Sequence, residues 1–237
     1  MNWSRERLGY VRRPHYGEIM LVCTAIGAGV ACYFLNIMCM YDMETEKKGG
    51  RGKYLLQMDR HRAVLSVACL ALCLGLTWLF AQYRYGPLKV MRYLLLLSLL
   101  YPIALRDARE KIIPNRWLVY LLMIRVMLFT AEAVCFPDLW LENIRFTLSG
   151  GLVSGLIFFM AYVISRHAIG MGDVKLFAVI GMCLGIKTTY LVMIVSLILS
   201  AIYGGCMVMG KKKSMKDEIA FGPFAAAGTL LIMLIGA

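Results

Sequence analysis

The chain has 237 residues, of which 60% are hydrophobic, and its mean hydropathy is +0.69, a composition far outside that of soluble globular domains. The net charge is +12, but Lys and Arg stand in short clusters between apolar runs. Anionic lipid and membrane topology explain that charge better than nucleic acid does. The composition therefore predicts an integral membrane protein.

Apolar runs divide the chain into membrane-spanning segments, because a bilayer core takes about 20 apolar residues per helix. The sequence predicts an all-α bundle of about eight transmembrane helices. The predicted spans are residues 19–41, 63–82, 89–105, 117–135, 145–165, 174–186, 188–209 and 219–237. We expect residues 1–62 to form an N-terminal membrane helix with a cytosolic loop, and residues 63–237 to form the membrane-embedded core.

The basic loops give the orientation. Lys and Arg concentrate in residues 42–62, 106–116 and 210–218, which fall on one side of the membrane if the spans are right. Since positive loops face the cytosol, the sequence predicts a multi-pass inner or plasma membrane protein with these loops inside. Counting spans back from these loops places the basic N-terminus outside. Either residues 1–16 lie along the membrane interface, or the first span is misplaced.

The eight cysteines do not indicate a metal site. All except Cys135 lie within apolar runs, where they are typical of small buried hydrophobic residues. The chain contains no CxxC pair. We therefore expect no metal and no cofactor.

Two acidic residues stand at the predicted cytosolic ends of apolar runs. Asp107 directly follows YLLLLSLLYPIALR, and Asp173 directly precedes VKLFAVIG. Ionisable groups at membrane depth are costly, so each is a functional candidate. Two complete predicted spans separate them, and the chain therefore returns to the same face. The sequence predicts that the two carboxylates meet there.

Two carboxylates in one small site titrate as a unit, with one group protonated while the other is ionised. Such a pair activates a water molecule and protonates a leaving group, as in aspartic proteases, without a metal or a nucleophilic side chain. The structural alternative is that Asp173 caps a helix and Asp107 pairs with Arg106, Arg109 or Lys111.

Three short stretches surround these acids. Gly170 and Gly172 precede Asp173 and allow another chain to approach closely, although a tight turn between two helices also explains them. Pro114 and Asn115 follow Asp107 just before the next helix, with Asn115 as a plausible N-cap.

Near the C-terminus, Gly222 and Pro223 begin the last helix, either as an ordinary helix start or as a third wall of the site. Lys175 reaches the headgroups by snorkelling, or supports the ionised pair or the substrate. Arg125 lies mid-span and needs a partner; Glu132 lies two turns along a similar face, and an inter-helix pair without catalytic meaning is the default expectation.

Together these stretches resemble the type IV prepilin peptidase family, which are membrane aspartic proteases of the GxGD kind. The family's Asp followed by Ile-Pro-Asn matches Asp107 and Ile113-Pro114-Asn115. Its Gly-x-Gly-Asp-x-Lys-Leu matches Gly170 to Leu176, and its Phe-Gly-Pro matches Phe221 to Pro223. The three motifs occur in order, and the resemblance covers roughly residues 88–237.

The resemblance implies that Asp107 and Asp173 are a catalytic dyad that removes the leader peptide from prepilin or pseudopilin precursors at the cytosolic membrane face. Gly170, Gly172, Lys175, Pro114, Asn115, Gly222 and Pro223 are the residues expected to bind or position the substrate. Membrane lipid is the other expected partner, and nucleic acid is not expected.

In one respect the chain departs from the larger bacterial members, which carry a cytosolic insert with paired CxxC motifs linked to N-methylation of the trimmed pilin. The corresponding loop here, residues 42–62, has no cysteine. We therefore expect peptidase activity without that zinc-bearing insert, and methyltransferase activity is in doubt.

Three alternatives remain open. Presenilin-like or signal-peptide-peptidase-like proteases also pair an Asp with GxGD, but they expect Tyr-Asp and Pro-Ala-Leu where this chain has Arg106-Asp107 and Phe-Gly-Pro. A transporter or channel that binds an ion would place its acids deeper and would show an internal repeat. A degenerate family member acting as an assembly scaffold is disfavoured by the intact motifs.

Overall fold

The computed structural model describes residues 71, 74–80, 82–83, 85–165, 169–209 and 220–236. The chain divides into two compact units, residues 1–98 and 99–237, and the division falls within a helix. Every regular element among the described residues is helical, which confirms the all-α prediction for that part of the chain. The predicted division at residue 62 and the first predicted span lie outside the described residues.

In the first unit, residues 74–80 are helical and lead through a short turn into α1 (Pro87–Glu110). Aromatic rings pack where these two segments meet. Phe80 lies edge-on to Tyr93 at 5.7 Å between ring centroids, and the ammonium group of Lys89 lies 3.6 Å from the centre of the Tyr85 ring. These contacts combine ring packing with a cation–π interaction.

The second unit contains the rest of α1 and four further helices. These are α2 (Asn115–Cys135), α3 (Trp140–Ile164), α4 (Met171–Met209) and α5 (Gly222–Ile235), with a single 3-10 turn (Pro137–Leu139) before α3. Within the described residues, α1 to α4 are long and apolar enough to cross a membrane, whereas α5 is shorter at 14 residues. The predicted total of about eight spans stays a prediction.

α4 is broken at Gly185, whose φ of 75° and ψ of 168° are not helical. Glycine adopts these angles without a Cβ clash, so the break falls where the sequence permits it. The first half of α4, up to Leu184, is about 20 Å long at 1.5 Å per residue. The two predicted spans 174–186 and 188–209 correspond to the two halves of this one broken helix.

α3 and the first half of α4 approach each other closely along a stripe of small residues. A Cβ on Gly150 would overlap the carbonyl of Gly181, and a Cβ on Gly181 would overlap the carbonyl of Gly150. Between these backbones, the single proton of the Ser154 hydroxyl is shared by the carbonyl oxygens of Gly150 at 2.6 Å and Phe177 at 2.9 Å. Small residues at four-residue spacing favour such close contact in membranes, where burial of apolar surface drives no association.

The last helix packs against the second half of α4 in a similar way. A Cβ on Gly228 would overlap the hydroxyl of Ser196, which itself donates to the Val192 carbonyl at 2.7 Å. Close contact at this point brings the beginning of α5 toward the first half of α4. The Phe221 ring lies 5.7 Å from that of Phe177 as a result.

Among the described cysteines, Cys183 is buried as predicted and Cys135 is exposed. Cys206 is exposed, so the expectation that it is buried was wrong. An apolar run in a membrane protein presents one face to lipid, and Cys206 lies on that face of α4.

Candidate active site

Asp107 lies one turn before the C-terminal end of α1, and only 4% of its surface is exposed. Its Oδ2 accepts a hydrogen bond of 2.7 Å from the backbone N–H of Gly222, the first residue of α5. The N–H groups at the start of a helix lack partners within that helix, so α5 offers a donor at this position. The contact joins the first and third motifs of the sequence.

No side chain fits at Gly222. A Cβ there would lie 2.9 Å from Oδ2 of Asp107 and 3.1 Å from its Cβ. Glycine is required at this position because the backbone of α5 must come close to the carboxylate. Pro223 follows in the first turn of α5, as predicted for a helix start.

Asp173 is the third residue of α4, in its first turn. Its carboxyl group interacts with the backbone N–H of Gly170, while its own N–H donates to the Gly170 carbonyl at 3.0 Å. This reciprocal arrangement is typical of a residue that stabilises the start of a helix. Asp173 therefore lies within the first turn of α4 and is not the N-cap residue that the structural alternative supposes.

The two carboxyl groups lie within electrostatic range of each other, since the charge of Asp107 acts on Asp173. The segments that carry them also touch: a Cβ on Gly172 would lie 3.0 Å from Cβ of Ile113. Asp107 does not form the ion pair with Arg106, Arg109 or Lys111 that the structural alternative supposes. Arg106 pairs instead with Glu110 at 2.9 Å, and Asp107 accepts from Gly222.

Lys175 and Asn115 connect the second motif with the first. The ammonium Nζ of Lys175 donates to Oδ1 of Asn115 at 3.1 Å, and both residues are exposed. The predicted N-cap role of Asn115 is wrong, because α2 begins at Asn115 itself and Pro114 is the N-cap residue, without a side-chain hydrogen bond. The asparagine side chain faces α4 and not the N–H groups of its own helix.

Three phenylalanines pack together near the two acids. Phe158 of α3 stacks on Phe177 of α4 with ring centroids 4.1 Å apart, and Phe221 lies 5.8 Å from Phe158. Phe177 follows Asp173 by one turn, and Phe221 directly precedes Gly222. The cluster therefore fixes the starts of α4 and α5 against each other through apolar contact.

Sequence reasoning placed Gly222 and Pro223 at the site without finding what Gly222 does. Its backbone N–H is a donor to Asp107, and no side-chain pattern reports a backbone contact. The aromatic cluster was also missed; Phe221 was noted as part of a motif, but no spacing relates it to Phe158.

Comparison with known proteins finds similarity over the region that contains Asp107 and Asp173. Residues 93–205 match the model of the type IV leader peptidase family, and this range contains both Asp107 and Asp173. The chain is similar to a prepilin leader peptidase/N-methyltransferase of Bacillus subtilis (strain 168), with 31% identity over 176 residues. That alignment covers 73% of this chain and 65% of the length of the relative. No solved structure matches the chain.

The motifs that contain Asp107 and Asp173 both lie within the matched residues 93–205. Over that region, the chain is similar to the type IV leader peptidase family.

Proposed function

We propose that the protein is a prepilin leader peptidase, a membrane aspartic endopeptidase that hydrolyses the leader from type IV pilin-like precursors at the cytosolic face of the membrane. The observation that carries the proposal is the convergence of Asp107, Asp173 and the Gly222 N–H at the ends of three helices. The match to the type IV leader peptidase family over residues 93–205 and the similarity to a prepilin leader peptidase/N-methyltransferase of Bacillus subtilis support the substrate class.

The proposed reaction needs only water and the two carboxyl groups. The ionised carboxylate removes a proton from a water molecule, whose oxygen attacks the carbonyl carbon of the scissile peptide bond. The protonated carboxyl group hydrogen-bonds the carbonyl oxygen and so stabilises the tetrahedral intermediate. When the C–N bond breaks, the leaving amine takes a proton from the dyad, and the products are a new carboxyl group and a new amino terminus.

The surrounding groups hold the dyad for that reaction. The N–H of Gly222 fixes the plane of the Asp107 carboxylate through Oδ2. The backbone N–H of Gly170 acts electrostatically on the Asp173 carboxyl group. Side chains whose rotamers are fixed by neighbouring groups react faster, because the productive geometry is already formed before substrate binds.

Substrate positioning is assigned to the exposed residues beside the dyad. Gly170 is exposed, so an extended peptide can approach the backbone there, whereas Gly172 is half-buried against Ile113. The Lys175–Asn115 pair lies at the N-terminal ends of α4 and α2 and offers hydrogen-bonding groups to a peptide backbone. Pro114 restricts the segment between α1 and α2, which keeps Asn115 in place.

The proposal is tested by co-expression with a prepilin precursor from the same genome, with leader removal scored by gel shift. Asp107→Asn and Asp173→Asn are expected to abolish processing, since an amide neither accepts the proton of water nor donates one to the leaving amine. Glu110→Gln is the matched control, because Glu110 is an exposed acid on α1 three residues from Asp107. It should process substrate like the wild type.

Wild-type processing by either aspartate variant would overturn the proposal that Asp107 and Asp173 form a catalytic dyad. Membrane content of each variant is measured on the same samples, so that loss of protein is distinguished from loss of chemistry. Cleavage by the purified wild type should persist in a metal chelator.

A further inference from the structure

Arg125 is fully enclosed in the middle of α2, with 2% of its surface exposed. A guanidinium group at this depth requires partners, because it stays charged and its N–H groups have no water to bind. An inter-helix pair was expected, but the pair with Glu132 lies within α2: Nη1 lies 3.2 Å from Oε2 of Glu132, which is also buried. The inter-helix contacts are made with other residues.

Those contacts reach two further helices. Nε of Arg125 donates to the backbone carbonyl of Met182 in α4 at 2.9 Å, and Nη2 donates to Oγ1 of Thr147 in α3 at 2.5 Å. One guanidinium group therefore ties α2, α3 and α4 together, using its planar fork of donors. Glu132 supplies the opposite charge.

The Met182 carbonyl is available because of the break in α4. In an uninterrupted helix this carbonyl would accept from the N–H of Ile186, but the non-helical Gly185 lies between the two residues. Arg125 thus binds the C-terminal end of the first half of α4. A cation is favoured there, since the carbonyl groups at the end of a helix carry partial negative charge.

The glycine at the break also fits against α3. A Cβ on Gly185 would overlap the ring of Phe146, one residue before Thr147. The break, the ring and the guanidinium contact therefore coincide at one level of the bundle. This end of the first half of α4 is held in place by α2 and α3 together.

The other end of the same helix segment carries Asp173. Met182 follows Asp173 by nine residues, which is about 14 Å along a helix. A helical segment of this length is rigid, so a shift of its C-terminal end along the axis moves Asp173 by a similar distance.

We propose that Arg125 is a positioning residue for the peptidase: through Met182 it fixes the axial position of the Asp173 segment relative to Asp107. This inference rests on the proposed function, since it assigns Asp173 to the dyad. Arg125 does not touch the reacting atoms. Its effect is on the geometry of the carboxyl pair, and therefore on kcat more than on substrate binding.

The decisive variant is Arg125→Leu/Glu132→Leu, which removes both charges together. Replacement of a buried ion pair by apolar residues is often neutral or stabilising, so this variant is expected to fold. We expect kcat for prepilin cleavage to fall by about 10- to 100-fold with KM within about twofold of wild type, because small displacements of catalytic groups have effects of this size.

Two further variants of the pair give a graded series. Arg125→Gln alone leaves Glu132 buried without its cation and is expected to reduce the amount of folded protein. Arg125→Gln/Glu132→Gln removes that charge while the glutamine amide keeps a donor for the Met182 carbonyl, and it should recover kcat above that of the double leucine variant. The control is Thr130→Val, an exposed residue of α2 whose hydroxyl donates to Met127 of its own helix, which should behave like wild type.

Hydrogen–deuterium exchange in nanodiscs gives a second readout that does not need substrate. The double leucine variant should exchange faster in residues 171–184 and like wild type in α5. Wild-type kcat in that variant would overturn the proposal, and so would faster exchange spread over the whole chain with kcat and KM both altered.

If the wild-type protein cleaves no prepilin, the proposed function fails. The exchange result then still decides whether Arg125 anchors this segment: faster exchange confined to residues 171–184 supports the anchor, and unchanged exchange overturns it.

Discussion

A single backbone N–H, that of Gly222, connects the last helix to the buried acid Asp107. The contact requires the absence of a side chain, because a Cβ would lie 2.9 Å from the carboxylate oxygen that accepts the bond. Glycine matters at this position because its backbone can come close to Asp107. The Phe-Gly-Pro motif therefore reflects how closely the start of α5 approaches the carboxylate.

Gly222→Ala should reduce leader cleavage by about 100-fold, since the added methyl group displaces the Asp107 carboxylate from its position. The measurement is kcat/KM on a prepilin substrate in detergent or nanodiscs. Gly205→Ala is the matched control, because a Cβ on Gly205 in α4 meets nothing within 4 Å. Equal activity of the two alanine variants would contradict this account of Gly222.

A second prediction concerns the exposed hydrogen bond between Lys175 and Asn115. Exposed polar pairs contribute little to stability, roughly 0.2–1 kcal/mol, so each single variant should fold normally. If the pair positions substrate, Lys175→Met and Asn115→Ala should each raise KM several-fold while kcat stays within about twofold.

The double variant should be no worse than the worse single variant, since both changes remove the same contact. Kinetics with a peptide that spans the leader junction provide the measurement. Additive losses in the double variant would show that the two residues act independently.

At the scale of elements, the close approach of α3 to the first half of α4 depends on glycine. Gly181→Ala should lower the free energy of unfolding by about 1–3 kcal/mol, because its Cβ overlaps the Gly150 carbonyl and backbone atoms do not move easily. Gly155→Ala should cost less, since its Cβ would meet the Cβ of Ala178 at 3.1 Å, a contact that a small shift relieves. Unfolding in mixed micelles measures both, and the reverse order of stability would be incompatible with this packing.

For some helices, the length of an apolar run in the sequence is sufficient to predict their position. The predicted spans 117–135 and 145–165 agree with α2 and α3 to within a few residues, because long apolar runs bounded by polar loops define membrane helices. The sixth predicted span, residues 174–186, is short for a membrane-spanning helix. It is the first half of α4, and its C-terminal end is bound by Arg125 from another helix, a contact that no local pattern reveals.

At the scale of the whole molecule, the proposed orientation places the dyad at the cytosolic face. Cys135 is exposed at the C-terminal end of α2, and Lys111 is exposed just before its N-terminal end. α2 has 21 residues, enough to cross a bilayer core of about 30 Å. The two positions should therefore lie on opposite sides of the membrane.

In variants with all other cysteines replaced by alanine, a membrane-impermeant thiol reagent applied to intact cells should label Cys135. Lys111→Cys, combined with replacement of Cys135, should be labelled only after the membrane is opened. The opposite pattern would place Asp107 on the outer face and would contradict the orientation given by the basic loops.

The sequence by itself determined the class of protein and the order of the three motifs, and it predicted the two acids. These follow from local properties: apolar length, the cost of a carboxylate near lipid, and residue types at fixed spacing. The tertiary structure alone decided which distant groups meet, including the backbone N–H that binds Asp107. Gly222 reaches Asp107 across 115 positions of sequence, Lys175 reaches Asn115 across 60, and Arg125 reaches Met182 across 57. Contacts of this kind depend on how helices pack, and two of the three involve backbone atoms that every residue shares, so no local pattern of side chains encodes them.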